Sequence, residues 1–301
     1  MAALRWEDRV YGESAIDDPA ILALIDCPTF RRLGGIRQAG PSALAFPFKT
    51  VTRYEHSLGA YLLLKRLEAD PKEQVAGLLH DISHTAFSHA VDFVFSSEAQ
   101  DHHEGLKPEF LRRPDIAQAI KGLGYRPEDF FDDSIYPLLE QPLPALCADR
   151  LDYFFRDGLT CGVTTPEQVA TYLTSLAVVG STIAFNDEAI ARQVAAQFAV
   201  MNREWWASPT EAFIYNEFAD ALREAFRLGV LKKADLLTDD ARVLDKLRAA
   251  KAGRIGEKLQ GILRFRPESV HGFKARVEPK SRWLDPPVAD ASGLSRISER
   301  G

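Results

Sequence analysis

The sequence predicts a mainly α-helical protein with small β-hairpin elements. Apolar residues recur at helical spacing from about residue 19 to about residue 260, and β-branched runs occur only as short pairs around turn residues. With 46% apolar and 27% charged residues, the 301-residue chain can bury one large core, alone or with an appendage.

The elements follow in order. Leu4–Asp8 and Val10–Glu13 flank a polar turn and form a candidate hairpin. Asp18-Pro19 opens a helix through Ile21, Leu22, Leu24 and Ile25, with the aspartate as cap and the proline at the first helical position. A second short helix covers Pro28 to Leu33, after which Gly34-Gly35 and Gly40-Pro41 mark a loop. Leu58, Tyr61, Leu62, Lys65 and Leu67 suit one helix beginning near Arg53, and Glu73 to His80 another, with Pro71 between them. Helices are also expected at 86–95, 102–111, 115–122 and 141–157, with breaks at Gly122, Gly124, Pro127 and Pro137.

Leu176 to Phe185 places two β-branched runs around Gly180-Ser181, a hairpin signal. Helices at 187–206 and 209–228 come next, the second with Ser208 and Glu211 at capping-box spacing. Past Gly229 the chain becomes richer in Lys and Arg, and 285–301 reads as a loose tail. The expected division is therefore a core over 1–230, with its motifs within 30–160, and a C-terminal helical extension and tail over 231–301.

A net charge of −6 argues against an extensive nucleic-acid surface yet allows a small basic pocket. Cys27, Cys147 and Cys161 form no C-x-x-C pair and read as core thiols of a reducing compartment. The N-terminus has no signal-peptide pattern, and no apolar run approaches the roughly 20 residues of a spanning helix. A cytoplasmic protein without a membrane partner is expected; a homo-oligomer is compatible with the composition.

Six of the seven histidines, His56, His80, His84, His89, His102 and His103, fall within 48 consecutive residues. Such crowding points to metal binding or proton transfer. The string His80-Asp81-Ile82-Ser83-His84, with His56 before it and Asp149 after it, offers a mixed nitrogen and oxygen set suited to a divalent ion such as Mn, Fe, Co, Zn, Ni or Mg. Four protein ligands leave room for water and substrate, and a cation there acidifies water and neutralises phosphoryl charge. His80 and His84 would share one helix face, whereas His80 and Asp81 meet one ion only at a helix end. The first pairing imitates an H-E-x-x-H zinc protease, but Asp81 stands where that motif needs its glutamate.

Three strings carry a resemblance: Thr52-Arg53-Tyr54-Glu55-His56-Ser57-Leu58-Gly59, then Leu78 through His89, then Ala148 through Asp157. Together they resemble the HD-domain phosphohydrolases, most nearly the deoxynucleoside triphosphate triphosphohydrolase branch, over roughly residues 5–160. The resemblance implies a helical HD-domain core and a metal held by His56, His80, Asp81 and Asp149. It implies catalytic roles for His84, Asp92 and His103, with Asp92 orienting His103 or His84. It further implies substrate contacts from Gln38, Arg53, Arg150, Tyr153 and Asp157. The implied reaction converts a deoxynucleoside triphosphate to deoxynucleoside and tripolyphosphate. A nucleotidase or phosphodiesterase acting on another phosphoester, and a catalytically silent nucleotide sensor, are the alternatives.

His89 and His102 read as neighbours without a chemical role, and His271 as solvated. Trp205-Trp206 reads as core rather than as a base-stacking pair. Beyond about residue 200 nothing matches the basic helix that grips the triphosphate in larger relatives, and Arg203 and Arg223 are the guanidiniums placed to substitute for it.

Overall fold

A computed structural model describes residues 3–95, 104–250, 253–291 and 293–300. Its centre is three helices, Arg53–Arg66, Pro71–Leu79 and Ala148–Thr160. The first starts at a reciprocal capping box: Thr52 Oγ1 accepts from the Glu55 amide at 3.2 Å, and Glu55 Oε2 accepts from the Thr52 amide at 2.9 Å. Asp70 caps the second by accepting from the Lys72 amide at 2.8 Å, with Pro71 at its first position.

Close approach of these helices depends on two glycines. A Cβ on Gly59 would lie 1.9 Å from Asp152 Oδ1, and one on Gly77 would lie 2.6 Å from Leu64 Cδ1. The Arg53–Arg66 helix is thus pressed between its two neighbours. Leu58, Leu63, Leu64, Leu78, Leu79, Leu151, Phe154 and Phe155 fill the space between them, in a core that continues to the Pro19–Asp26 and Glu188–Met201 helices. A second core gathers Phe87, Phe93, Phe218 and Leu222 with Val243, Ile255 and Leu259, joining the Pro209–Arg227 helix to those at Asp240–Ala249 and Gly253–Leu263.

Both expected hairpins form, with the second strand of the first at Gly12–Ile16 rather than Val10–Glu13. β1 (Leu4–Asp8) pairs antiparallel with β2 (Gly12–Ile16), from Leu4↔Ile16 to Asp8↔Gly12. β3 (Leu176–Val179) pairs antiparallel with β4 (Thr182–Phe185). The 285–301 stretch is not a loose tail. β5 (Pro287–Asp290) lies parallel to β4 through Phe185↔Val288, and β6 (Gly293–Arg296) closes a four-stranded sheet in the order β3-β4-β5-β6. Four-residue strands are too short for alternation to show, and the edge of β4 supplies the pairing that the local sequence does not announce.

Three helix boundaries differ from expectation. The segment expected as 86–95 is helical only over Ala90–Phe95, because Phe87 and Ser88 adopt left-handed backbone at φ 61° and 52°. The helix expected at 141–157 begins only at Ala148, beyond Pro142 and Pro144. The helix expected at 187–206 ends at Met201 and passes into a wider π turn over Asn202–Trp206. In the 102–111 region a helix spans Lys107–Leu111, while His102 and His103 lie outside the described residues.

Two consecutive left-handed residues without glycine are costly and need outside support. Asp240 provides it: Oδ1 accepts from the Phe87 amide at 2.5 Å and Oδ2 from the Arg37 amide at 2.9 Å. Burial, only partly offset by these amides, lifts its carboxyl from 3.8 to about 6. A raised carboxyl favours the folded state fully below the unfolded pKa, and that contribution disappears as pH rises through about 6. Asp240→Asn is therefore expected to gain roughly 2–3 kcal/mol on the parent between about pH 4 and pH 8. Parallel urea titrations of the two proteins across that range measure the difference.

Among the described residues no helix is long and apolar enough to cross a membrane.

Candidate metal centre and active site

His56 lies one turn into the Arg53–Arg66 helix. His80 ends the Pro71–Leu79 helix, Asp81 follows in the turn, and Asp149 sits in the first turn of Ala148–Thr160. The helix end brings His80 and Asp81 to one point. His56 Nε2 is 2.9 Å from Asp149 Oδ1, 3.1 Å from His80 Nε2 and 3.7 Å from Asp81 Oδ2. His80 Nε2 is 3.4 Å from Asp149 Oδ1 and 3.6 Å from Asp81 Oδ1. Donor atoms around a first-row ion at about 2.1 Å stand roughly 3 Å apart, so His56, His80 and Asp81 have the spacing of a single coordination sphere, with Asp149 against both imidazoles.

The hydrogen bonds behind the imidazoles support the same reading. His80 Nδ1 lies 2.7 Å from the Gly77 carbonyl, which only accepts, so that nitrogen carries the proton and Nε2 of the neutral ring presents a lone pair. His56 Nδ1 lies 2.7 Å from Asp152 Oδ2, whose carboxylate also accepts from Arg156 Nε at 2.8 Å and Tyr11 Oη at 2.8 Å. This arrangement fixes the proton of His56 on Nδ1 as well. Two lone pairs and two carboxylates then face one another and need a positive charge between them.

The electrostatics show how strongly this site attracts one. Burial disfavours a charged His56, yet hydrogen bonds to Asp149 and Asp152 outweigh it and lift the imidazole from 6.5 to about 10. Burial likewise opposes ionisation of Asp81 and Asp149, but Arg53, His80 and His84 hold the first carboxyl, and His56 and His80 the second, well below the usual range. A divalent cation would satisfy the same field.

The set opens into a cavity of about 660 Å³ lined in part by His80, Asp81, Asp149, Arg53, His84 and His89. Arg53 Nη1 bonds Asp81 Oδ2 at 2.7 Å and Nε bonds Ser88 Oγ at 3.0 Å. His84 Nε2 stands 3.1 Å from Asp81 Oδ1. His89, read from sequence as a neighbour without a role, also faces the cavity, with Nδ1 3.0 Å from Asp92 Oδ2.

Comparison with known proteins agrees with this geometry. The family model described as HD domain matches residues 53–157. The chain is 36% identical over 297 residues to uncharacterized protein YdhJ of Bacillus subtilis, covering 96% of this chain and 91% of that one. It is 32% identical to metal-dependent phosphohydrolase cns2 of Cordyceps militaris, over 93% of this chain and 84% of that one. The chain belongs to the HD-domain metal-dependent phosphohydrolases.

This HD-domain phosphohydrolase shares 36% identity with deoxynucleoside triphosphate triphosphohydrolase SAMHD1 of Danio rerio, over 32% of this chain and 18% of that one. A solved structure of a hypothetical protein from Aquifex aeolicus superposes with a TM-score of 0.69 at 19% identity, covering 100% of this chain and 92% of that one. That likeness concerns the fold.

The remaining expected residues divide in two. Gln38, Tyr153 and Asp157 line the cavity together, with Gln38 Nε2 3.4 Å from Asp157 Oδ1. Trp206, expected in the core, lines it too and donates from Nε1 to Asp157 Oδ2 at 2.9 Å. Arg150 also lines the cavity but uses its guanidinium as a brace, donating to the Ala145 and Gln141 carbonyls and to Glu140. Arg203 pairs with Glu204, and Arg223 with Asp220 and the Phe93 carbonyl, and neither lines the cavity. The basic groups that do come from the C-terminal extension are Lys280 and Arg282.

Proposed function

We propose that this HD-domain phosphohydrolase acts on nucleotides, hydrolysing deoxynucleoside triphosphates to deoxynucleoside and tripolyphosphate. One observation supports this most: His80, Asp81 and Asp149 of the metal set line the same cavity as the Gln38, Tyr153, Asp157 and Trp206 group. A phosphoryl group at the metal thus has a polar and aromatic wall within reach, suited to a sugar and base.

A divalent metal held by His56, His80, Asp81 and Asp149 would supply Lewis acidity, neutralising phosphoryl charge and acidifying water. Arg53, fixed by Asp81 and Ser88 through Nη1 and Nε, makes no hydrogen bond through Nη2 among the described residues and directs that N–H at a phosphoryl oxygen. Water adds to the α-phosphorus and releases one proton to solvent, the Pα–O5′ bond breaks, and protonated His84 delivers its proton to the departing O5′. Asp92 holds the His89 imidazole toward the substrate. His103, outside the described residues, shares the proton handling in this scheme. Asp157, whose carboxyl burial raises, accepts a sugar hydroxyl together with Gln38.

A panel of deoxy- and ribonucleotides, with orthophosphate, pyrophosphate and tripolyphosphate resolved, tests the reading. Tripolyphosphate from deoxynucleoside triphosphates is expected, and His84→Ala is expected to keep its metal while losing about 10²-fold in turnover. Orthophosphate released from monophosphates alone would replace this reading by the nucleotidase one.

A further inference from the structure

We propose that the extended segment Pro279 to Arg282 is a cationic strap that grips the phosphates of the substrate beyond the scissile one, through Lys280 and Arg282. The inference rests on a polyphosphate being bound at the metal site, and it assigns phosphate-counting to residues far outside the HD-domain motifs.

The cations lining the cavity differ in what already neutralises them. Arg53 is paired with Asp81 at 2.7 Å, Arg150 with Glu140 at 3.3 Å, Lys49 with Glu211 at 3.4 Å, and Lys107 with Asp133. Each of these charges is largely cancelled before any ligand arrives. Lys280 and Arg282 also line the cavity, yet among the described residues neither has a carboxylate partner. Among the described residues the one hydrogen bond of the Arg282 side chain is to the Lys280 carbonyl at 3.1 Å. Among the described residues they are the positive charges of the cavity wall that no carboxylate pairs. The field of Arg282 is felt at Tyr153, beside the metal set, and at Tyr215 across the cavity.

The strap is held in place by its backbone, which leaves the two side chains available. Asn216, on the Pro209–Arg227 helix, accepts from the Arg276 and Val277 amides at 3.0 and 3.1 Å and donates to the Val277 carbonyl at 2.9 Å. Asn202 accepts from the Arg282 amide at 2.8 Å and donates to Ser281 Oγ at 3.3 Å. On the far side the Asp285 amide donates to the Pro144 carbonyl at 3.1 Å, beside Gln141, Pro142 and Leu143 of the cavity wall. Two side-chain amides, buried at Asn216 and half-buried at Asn202, fix the path of this irregular backbone, and residues 280 and 282 of an extended chain fall on one side of it. A guanidinium with one N–H already given to the Lys280 carbonyl and an ammonium two residues away then offer up to about seven N–H donors to successive phosphate groups.

Calorimetric titration of inorganic tripolyphosphate and orthophosphate onto the metal-loaded protein reads this without turnover. Lys280→Ala/Arg282→Ala is expected to weaken tripolyphosphate binding by roughly 30-fold and orthophosphate by no more than about threefold, since partly exposed charge-assisted contacts contribute about tenfold or less each. Arg282→Lys is expected to recover part of the loss, and melting temperatures should coincide with the parent. Unchanged tripolyphosphate affinity, or an equal loss for both anions, overturns the strap. Failure of the nucleotide reading shows elsewhere, as absence of tripolyphosphate release from any nucleotide by the parent protein.

Discussion

Asp81→Ala is expected to strip the metal and lower phosphohydrolase turnover by at least about 10³-fold. Asp81 faces both imidazoles of the metal set, at 3.6 and 3.7 Å, and holds Arg53 and His84 at 2.7 and 3.1 Å. Its removal takes away one ligand charge and the group that positions both Arg53 and His84. It also leaves Arg53, 6% exposed, without a carboxylate, a cost of about 3–5 kcal/mol for a broken buried pair. Adding Arg53→Met relieves that cost and separates the two effects: the double variant should regain much of the stability and none of the metal. Metal analysis, melting and turnover on the two variants check this, and an Asp81→Ala protein that kept its metal would remove Asp81 from the site.

The second large effect lies behind the metal. Asp152→Asn is expected to lower metal affinity by about 10–100-fold and to destabilise the fold by about 3 kcal/mol. Asp152 and Arg156 are fully buried, and Arg156 Nη2 reaches Asp8 Oδ2 at 3.0 Å, so β1 is connected through Arg156 and Asp152 to His56. The amide keeps the shape of the side chain and removes its charge. Arg156 then retains one carboxylate partner, and the proton on His56 Nδ1 loses the anion that fixes it. Metal titration and chemical denaturation measure the two losses separately. If the metal affinity were unchanged, His56 would be oriented by something other than this chain of contacts.

Much of the centre was legible because its residues are sparse types in tight strings. His56, His80 and Asp81 needed only the motif and the helix end, and Asp149 needed the Asp149-Arg150-x-Asp152 string, since nothing local links residues 81 and 149. The hairpins were legible from their turn residues, and the helix starts from Asp18, Thr52 and Ser208. What escaped was set by tertiary contact. His89 faces the cavity because Phe87 and Ser88 turn left-handed under support from Asp240, more than 150 residues away. Trp206 turns toward Asp157 because the helix widens to a π turn at Asn202. Lys280 and Arg282 lie in an irregular segment with no periodicity, whose course is set by Asn202 and Asn216. The placement of Pro287–Asp290 depends on the open edge of β4. Arg150 shows the converse: its place in the motif string was clear, but the carbonyls it braces belong to a loop whose path the string does not specify.

Anomalous diffraction from crystals grown with Mn or Zn tests the metal centre most directly. One ion at about 2.0–2.3 Å from His56 Nε2, His80 Nε2 and a carboxylate oxygen each of Asp81 and Asp149 is expected. An ion held instead by Glu140 and Cys147, the neighbouring acidic group around Asp149, with His56 and His80 unligated, would contradict the assignment.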